Sequence, residues 1–139
     1  MNRSRDWLSQ ALRDLEHARK SMRLRDYEWA CFSSQQAAEK ALKAVYLSLG
    51  MEVWGHDLVN LLRGLRKAGL RVSRRLIERA AELDKHYVIS RYPNGFAEGA
   101  PWEHYTRRDA EKCVRSGERL VGWAKDIIEG KQGGGHQKA

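Results

Sequence analysis

"TRRDAEKCVRSGERLVGWAKDIIEG", residues 106–130, decides the fold. Ala110, Cys113, Val114, Gly117, Leu120, Val121, Ala124, Ile127 and Ile128 recur at spacings of three and four. That period puts them on one face of a long helix and leaves the charged residues on the other. Thr106 can cap the helix, and Asp109, three residues on, completes a short-armed capping box.

Working outward, the same signature recurs along the chain. A helix from about Ser4 to Leu24 carries Leu8, Ala11, Leu12, Leu15, Ala18 and Met22 on one face. A second, about Tyr27 to Leu49 with Asp26 as its expected N-cap, carries Ala30, Cys31, Ser34, Ala37, Ala38, Ala41, Leu42 and Val45. Its many small residues predict close approach by neighbouring helices, and Gly50 is placed to end it. A shorter helix capped by Asp57 carries Leu58, Leu61, Leu62 and Leu65, and another starting near Ser73 carries Leu76, Ile77, Ala80, Leu83 and Tyr87. No segment alternates with period two. The expected fold is all-α: an antiparallel up-and-down bundle of four main helices plus a short one. One domain over 1–130 fits the length, and the glycine-rich 131–139 is expected to be a disordered tail.

No run of about 18 apolar residues is present, and the charged start "MNRSRDWLSQ" lacks the apolar core of a signal peptide, so a cytoplasmic protein is expected. Cys31 and Cys113 both lie on apolar helix faces, and the expectation is buried thiols in a reducing compartment. Five tryptophans exceed what a core of this size needs, which points to a protein interface.

The formal charge of +8 favours polyanions or an acidic partner. Basic density peaks at positions 63–79, where Arg63, Arg66, Lys67, Arg71, Arg74, Arg75 and Arg79 stand against Glu78 alone. Clustered guanidiniums suit phosphate because each planar fork bonds two oxygens. Arg91 is the other candidate. It sits where a helix must end before Pro93, beside Tyr92, and can hold a phosphate or cap the helix by bonding its last carbonyls. His86 and Arg91, five apart, share no helix face, whereas Arg79 and His86, seven apart, do. The gaps between His56, His86 and His104 match no metal signature, and no phosphate loop, dinucleotide fingerprint or serine elbow is present. Neither metal nor cofactor is expected. The segment 83–112 breaks the helical pattern with Pro93, Asn94, Gly95 and Pro101, and Phe96, Trp102 and Tyr105 can pin it to the bundle.

Three blocks together, "SSQQAAEKALKAVYLSLG" at 33–50, "GHDLVNLL" at 55–62 and "LDKHYVISRYPNG…APWEHYT…DAEKC" at 83–113, resemble the HEPN family, small helical domains named for their occurrence in higher eukaryotes and prokaryotes and for nucleotide binding. The resemblance spans roughly residues 4–128. It implies a four-helix bundle with a short extra helix, a homodimer, and frequent pairing with a minimal nucleotidyltransferase in toxin–antitoxin systems. Many relatives are metal-independent ribonucleases with an Arg, a polar neighbour and a His, four to six residues lying between the Arg and the His. There a neutral imidazole takes the 2′-hydroxyl proton while a guanidinium stabilises the phosphate. Here Arg91 is followed by Tyr92, and the next histidine is His104; Arg79 and His86 meet the spacing, but Ala80 stands where the polar residue would. The resemblance therefore implies a binding module that acts with a nucleotidyltransferase partner and engages nucleotide or RNA, with Arg91, Tyr92, Arg71, Arg74 and Arg75 as the contact candidates. The alternative is an endoribonuclease toxin drawing on Arg91, His86 and Arg79.

Overall fold

The computed structural model describes residues 2–130, and the expected tail lies outside them. Three long helices form the frame: α1 (Ser4–Arg23), α2 (Tyr27–Ser48) and α7 (Arg107–Ile128). Between α2 and α7 come α3 (Leu58–Lys67), α4 (Arg74–Asp84), the single turns α5 (His86–Ile89) and α6 (Pro101–His104), and a 3₁₀ turn over Pro93–Gly95. The described residues contain no strand. No helix among them is long and apolar enough to cross a membrane.

Most of the predicted ends hold for the local reason given. Thr106 Oγ1 accepts from the Asp109 amide while Asp109 accepts from the Thr106 amide, so the capping box is formed in both directions. Asp57 accepts from the Asn60 amide and Ser73 from that of Leu76. Gly50, at φ 75, closes α2 in the left-handed region. Asp26 is the exception. It stands at the N-cap of α2, but its side chain makes no cap bond, and the reversal into the helix is made by Arg25 at φ 69.

Helix α2 lies at the centre. Its buried residues occupy more than one face, packed against α1 on one side and α7 on the other. The run of alanines from Ala37 to Ala44 permits that approach, since small side chains let two backbones close on the same helix. Leu42, Leu58, Leu62, Leu65, Leu83 and Leu120 fill the remaining space and are fully buried. Helices α3 and α4 pack on one another, and α4 lies along α7. The Asp84 carboxylate, at the end of α4, accepts from the amides of Leu58 and Val59 and so caps α3 from a distance. Burial, opposed by those two hydrogen bonds and reinforced by Asp57 beside it, pushes its pKa up to about 6.

The expected all-α helical bundle is observed, with α3 and α4 the shorter members at 10 and 11 residues. Two expectations need correction. The cysteines are buried as expected but are not free thiols: Cys31 on α2 and Cys113 on α7 are joined as a disulfide. In the 83–112 segment, Phe96 packs on the core and Tyr105 is buried, but Trp102 is 68% exposed and pins nothing. His104 does that work instead, stacked on Phe96 at 4.2 Å with Nε2 2.7 Å from the Glu98 carbonyl.

Candidate phosphate-binding groove

Arg75 and Arg79 are four residues apart on α4, and Arg115 and Arg119 are four apart on α7. That spacing puts each pair on one helix face, and the packing of α4 along α7 sets the two pairs opposite each other. Arg75, Arg79 and Arg119 line a groove of about 330 Å³ with Ser73, Leu76, Glu118, Gly122, Trp123 and Asp126. A second hollow, of about 230 Å³, shares Arg75 and Arg79 and adds Glu78, Glu82, Lys112 and Ser116. The two adjoin at Arg75 and Arg79 and together make up a trench on the α4–α7 seam.

Of the four acids that line the trench, Glu78, Glu82, Glu118 and Asp126, two have cationic partners of their own. Glu118 is paired with Arg19 at 2.9 Å, and Glu82 faces Lys85, Lys112 and His86. None of Arg75, Arg79, Arg115 and Arg119 forms an ion pair among the described residues. The crowding registers on Arg79, whose pKa is lowered first by burial and then by Arg119, Arg75 and Arg115. A guanidinium stays protonated regardless, and the three neighbouring guanidiniums repel it, a repulsion that an anion between them would relieve.

The structure separates the other candidates. Arg71 and Arg74 are exposed and lie outside the lining of the trench. Arg91 sits elsewhere, at the end of α5. Its Nε and Nη2 both donate to the Tyr87 carbonyl, at 3.0 and 2.6 Å, and its Cζ lies 4.2 Å over the Phe32 ring and 5.1 Å from that of Tyr92. This is the helix-capping arrangement, with Nη1 left for an outside partner. Tyr92 is half exposed beside it.

His86 does not face the trench. It is buried, with Nδ1 2.7 Å from Tyr105 Oη and Nε2 3.7 Å from Glu82. Burial lowers its pKa, against the pull of Glu82 and Asp109. Arg79 and His86 thus satisfy the sequence spacing yet serve different surroundings within one chain. A His86 ring nitrogen and the sulfurs of Cys31 and Cys113 lie within 4.8 Å of one another, the one such ligand group among the described residues. With the sulfurs bonded to each other, neither offers a thiolate to a metal.

Sequence reasoning missed Arg115 and Arg119, because the apolar stripe is the dominant pattern in α7. The signal was there, as a second arginine pair at the spacing of Arg75 and Arg79; what was lacking was the knowledge that α4 packs on α7.

The sequence model of the HEPN domain matches residues 4–127. A Methanocaldococcus jannaschii protein named "Putative toxin MJ1304" is 29% identical over 136 residues, covering 91% of this chain and 89% of its own. Among solved structures, TT1696 from Thermus thermophilus superposes with a TM-score of 0.87 at 43% identity, covering 91% of this chain and 98% of its own. ST0689, described as an archaeal HEPN homologue, does so with a TM-score of 0.78 at 43% identity, covering 92% and 99%.

Proposed function

The chain belongs to the HEPN domain family, and from that membership we propose that it is the HEPN member of a toxin–antitoxin-type pair, binding the phosphates of nucleotide or RNA in the α4–α7 trench. In this reading it is a cytoplasmic homodimer that engages a minimal nucleotidyltransferase partner. The likeness to a protein named as a toxin supports the pairing. The exposed faces of Trp29, Trp54 and Trp102 support an interface. The observation that carries the binding role is the cluster of Arg75, Arg79 and Arg119 lining the trench, with Arg115 close enough to act on Arg79 and none of the four in an ion pair among the described residues.

Binding is favoured over ribonuclease chemistry by what the candidate catalytic groups are doing. Arg91 is bonded to Tyr87, and His86 is enclosed with Tyr105. A general base must reach the proton it removes, and His86 is only 9% exposed with its Nδ1 engaged by the Tyr105 hydroxyl.

The test is fluorescence anisotropy with labelled single-stranded RNA in EDTA, across a salt series. Each phosphate neutralised on a single strand adds about 0.7 to the slope of log affinity against log salt. We expect a slope of about 2 to 3, falling by more than half when Arg75, Arg79, Arg115 and Arg119 are all replaced by Gln. An unchanged slope in the variant overturns the trench as the site. RNA cleavage in the same tubes, lost with His86→Ala, would overturn the choice of binding over catalysis.

A further inference from the structure

We propose that Cys31 and Cys113 are a reversible two-electron redox couple, with His86 as the group that takes the thiol proton, so that peroxide closes a covalent latch between α2 and α7. The family reading assigns nothing to these residues, and the inference does not depend on it.

The geometry has three parts. The cysteines are 82 residues apart in sequence, their Cα atoms are 5.0 Å apart, and both are fully buried. A ring nitrogen of His86 lies within 4.8 Å of both sulfurs. The imidazole is held by Tyr105, whose hydroxyl is 2.7 Å from Nδ1. A phenol can donate or accept, so it steadies either tautomer, and the neutral ring always keeps one nitrogen with a lone pair. In the reduced state Cys31 also has an acceptor for its S–H, the Asp109 carbonyl at 3.4 Å.

The charged surroundings of His86 are mixed. Glu82 and Lys85 face it from its own helical run, and Asp109 faces it from α7, where Lys112 shares Glu82. Burial outweighs the two acids and keeps the ring neutral at neutral pH. A neutral imidazole beside a buried thiol supplies what that thiol lacks, since the thiolate is the nucleophile and burial in apolar surroundings suppresses it.

The chemistry balances. One cysteine gives its proton to His86, and its thiolate attacks an oxygen of hydrogen peroxide. The O–O bond breaks, a sulfenic acid forms, and the departing hydroxide takes the proton from His86 as water. The second cysteine loses its proton in turn, and its thiolate displaces the sulfenic oxygen as a second water, forming the S–S bond. Two thiols have given up two electrons to one peroxide. A dithiol reductant reverses the result by exchange.

The experiment uses the full chain, reduced with dithiothreitol and then exposed under native conditions to hydrogen peroxide. Free thiols are counted by maleimide mass shift after quenching. We expect both thiols to disappear together, a Cys31–Cys113 cross-linked peptide on non-reducing mapping, and recovery of both thiols with dithiothreitol. His86→Gln should slow thiol loss about tenfold at pH 7 and make its rate climb steeply with pH, where the parent rate is nearly flat. Tyr105→Phe, which keeps the ring and loses the phenol, should slow it less and keeps the test open if His86→Gln fails to fold. Hydrogen exchange over 107–116 should slow on oxidation. Two thiols that survive peroxide in the folded protein, or that react only across molecules, overturn the couple. Thiol loss at the parent rate and pH profile in both variants overturns the role of His86.

Discussion

Replacing Arg91 with Ala separates its two readings, helix cap and phosphate holder. The structure gives the guanidinium two attachments. Its paired bonds to the Tyr87 carbonyl end α5, and its face lies 4.2 Å over Phe32. A charged donor at a helix C-terminus contributes about 0.3–1 kcal/mol, and a guanidinium over a partly exposed ring about 0.5–1 kcal/mol. The substitution should therefore cost about 1–2 kcal/mol, which for a domain of this size lowers Tm by about 3–8 °C. Urea unfolding followed by circular dichroism gives the free energy. A double-mutant cycle with Phe32→Leu isolates the ring contact and should return a coupling of about 0.5–1 kcal/mol. In the RNA titration the same variant should bind with the parent salt slope, because Arg91 lies outside the trench. Stability within about 0.3 kcal/mol of the parent, joined to a tenfold loss of RNA affinity, would refute this reasoning and make Arg91 a binding residue.

Two further outcomes follow from the core. A methyl group on Gly64 would overlap the Tyr46 hydroxyl, which donates to the Leu61 carbonyl at 2.7 Å. Gly64→Ala should thus destabilise by about 1–2 kcal/mol, despite a helix-propensity gain of about 1 kcal/mol, and the loss should shrink or reverse in a Tyr46→Phe background; equal losses in both backgrounds, measured in urea, would contradict the contact. Asp84 titrates at about 6 in the folded protein, above its ordinary carboxylate value, so the folded state binds its proton more tightly and the stability it contributes is present below about pH 4 and lost as pH rises through about 6. Urea unfolding from pH 4 to 8 should show the parent losing stability relative to Asp84→Asn across that window and running parallel to it above pH 7; a constant difference throughout would contradict the shift.

What the sequence determined by itself is local. The stripe from Ala110 to Ile128, the Thr106–Asp109 box, the Asp57 and Ser73 caps and the Gly50 stop each depend on residues within one or two turns. Helical period and capping act over that range, so they were legible without knowing what packs on what. Even there, Asp26 shows the limit: the right residue type stands at the right place, but its side chain makes no cap bond. The tertiary structure decided the rest, because it depends on which helix faces which. Cys31 and Cys113, 82 residues apart, meet only because α2 and α7 pack. Arg75 and Arg79 acquire Arg115 and Arg119 only because α4 lies along α7. Arg79 and His86, paired by spacing, part because the trench takes one and the core the other. A helical repeat fixes the angle of each side chain about its own axis, and only the packing of a second axis fixes what that side chain meets.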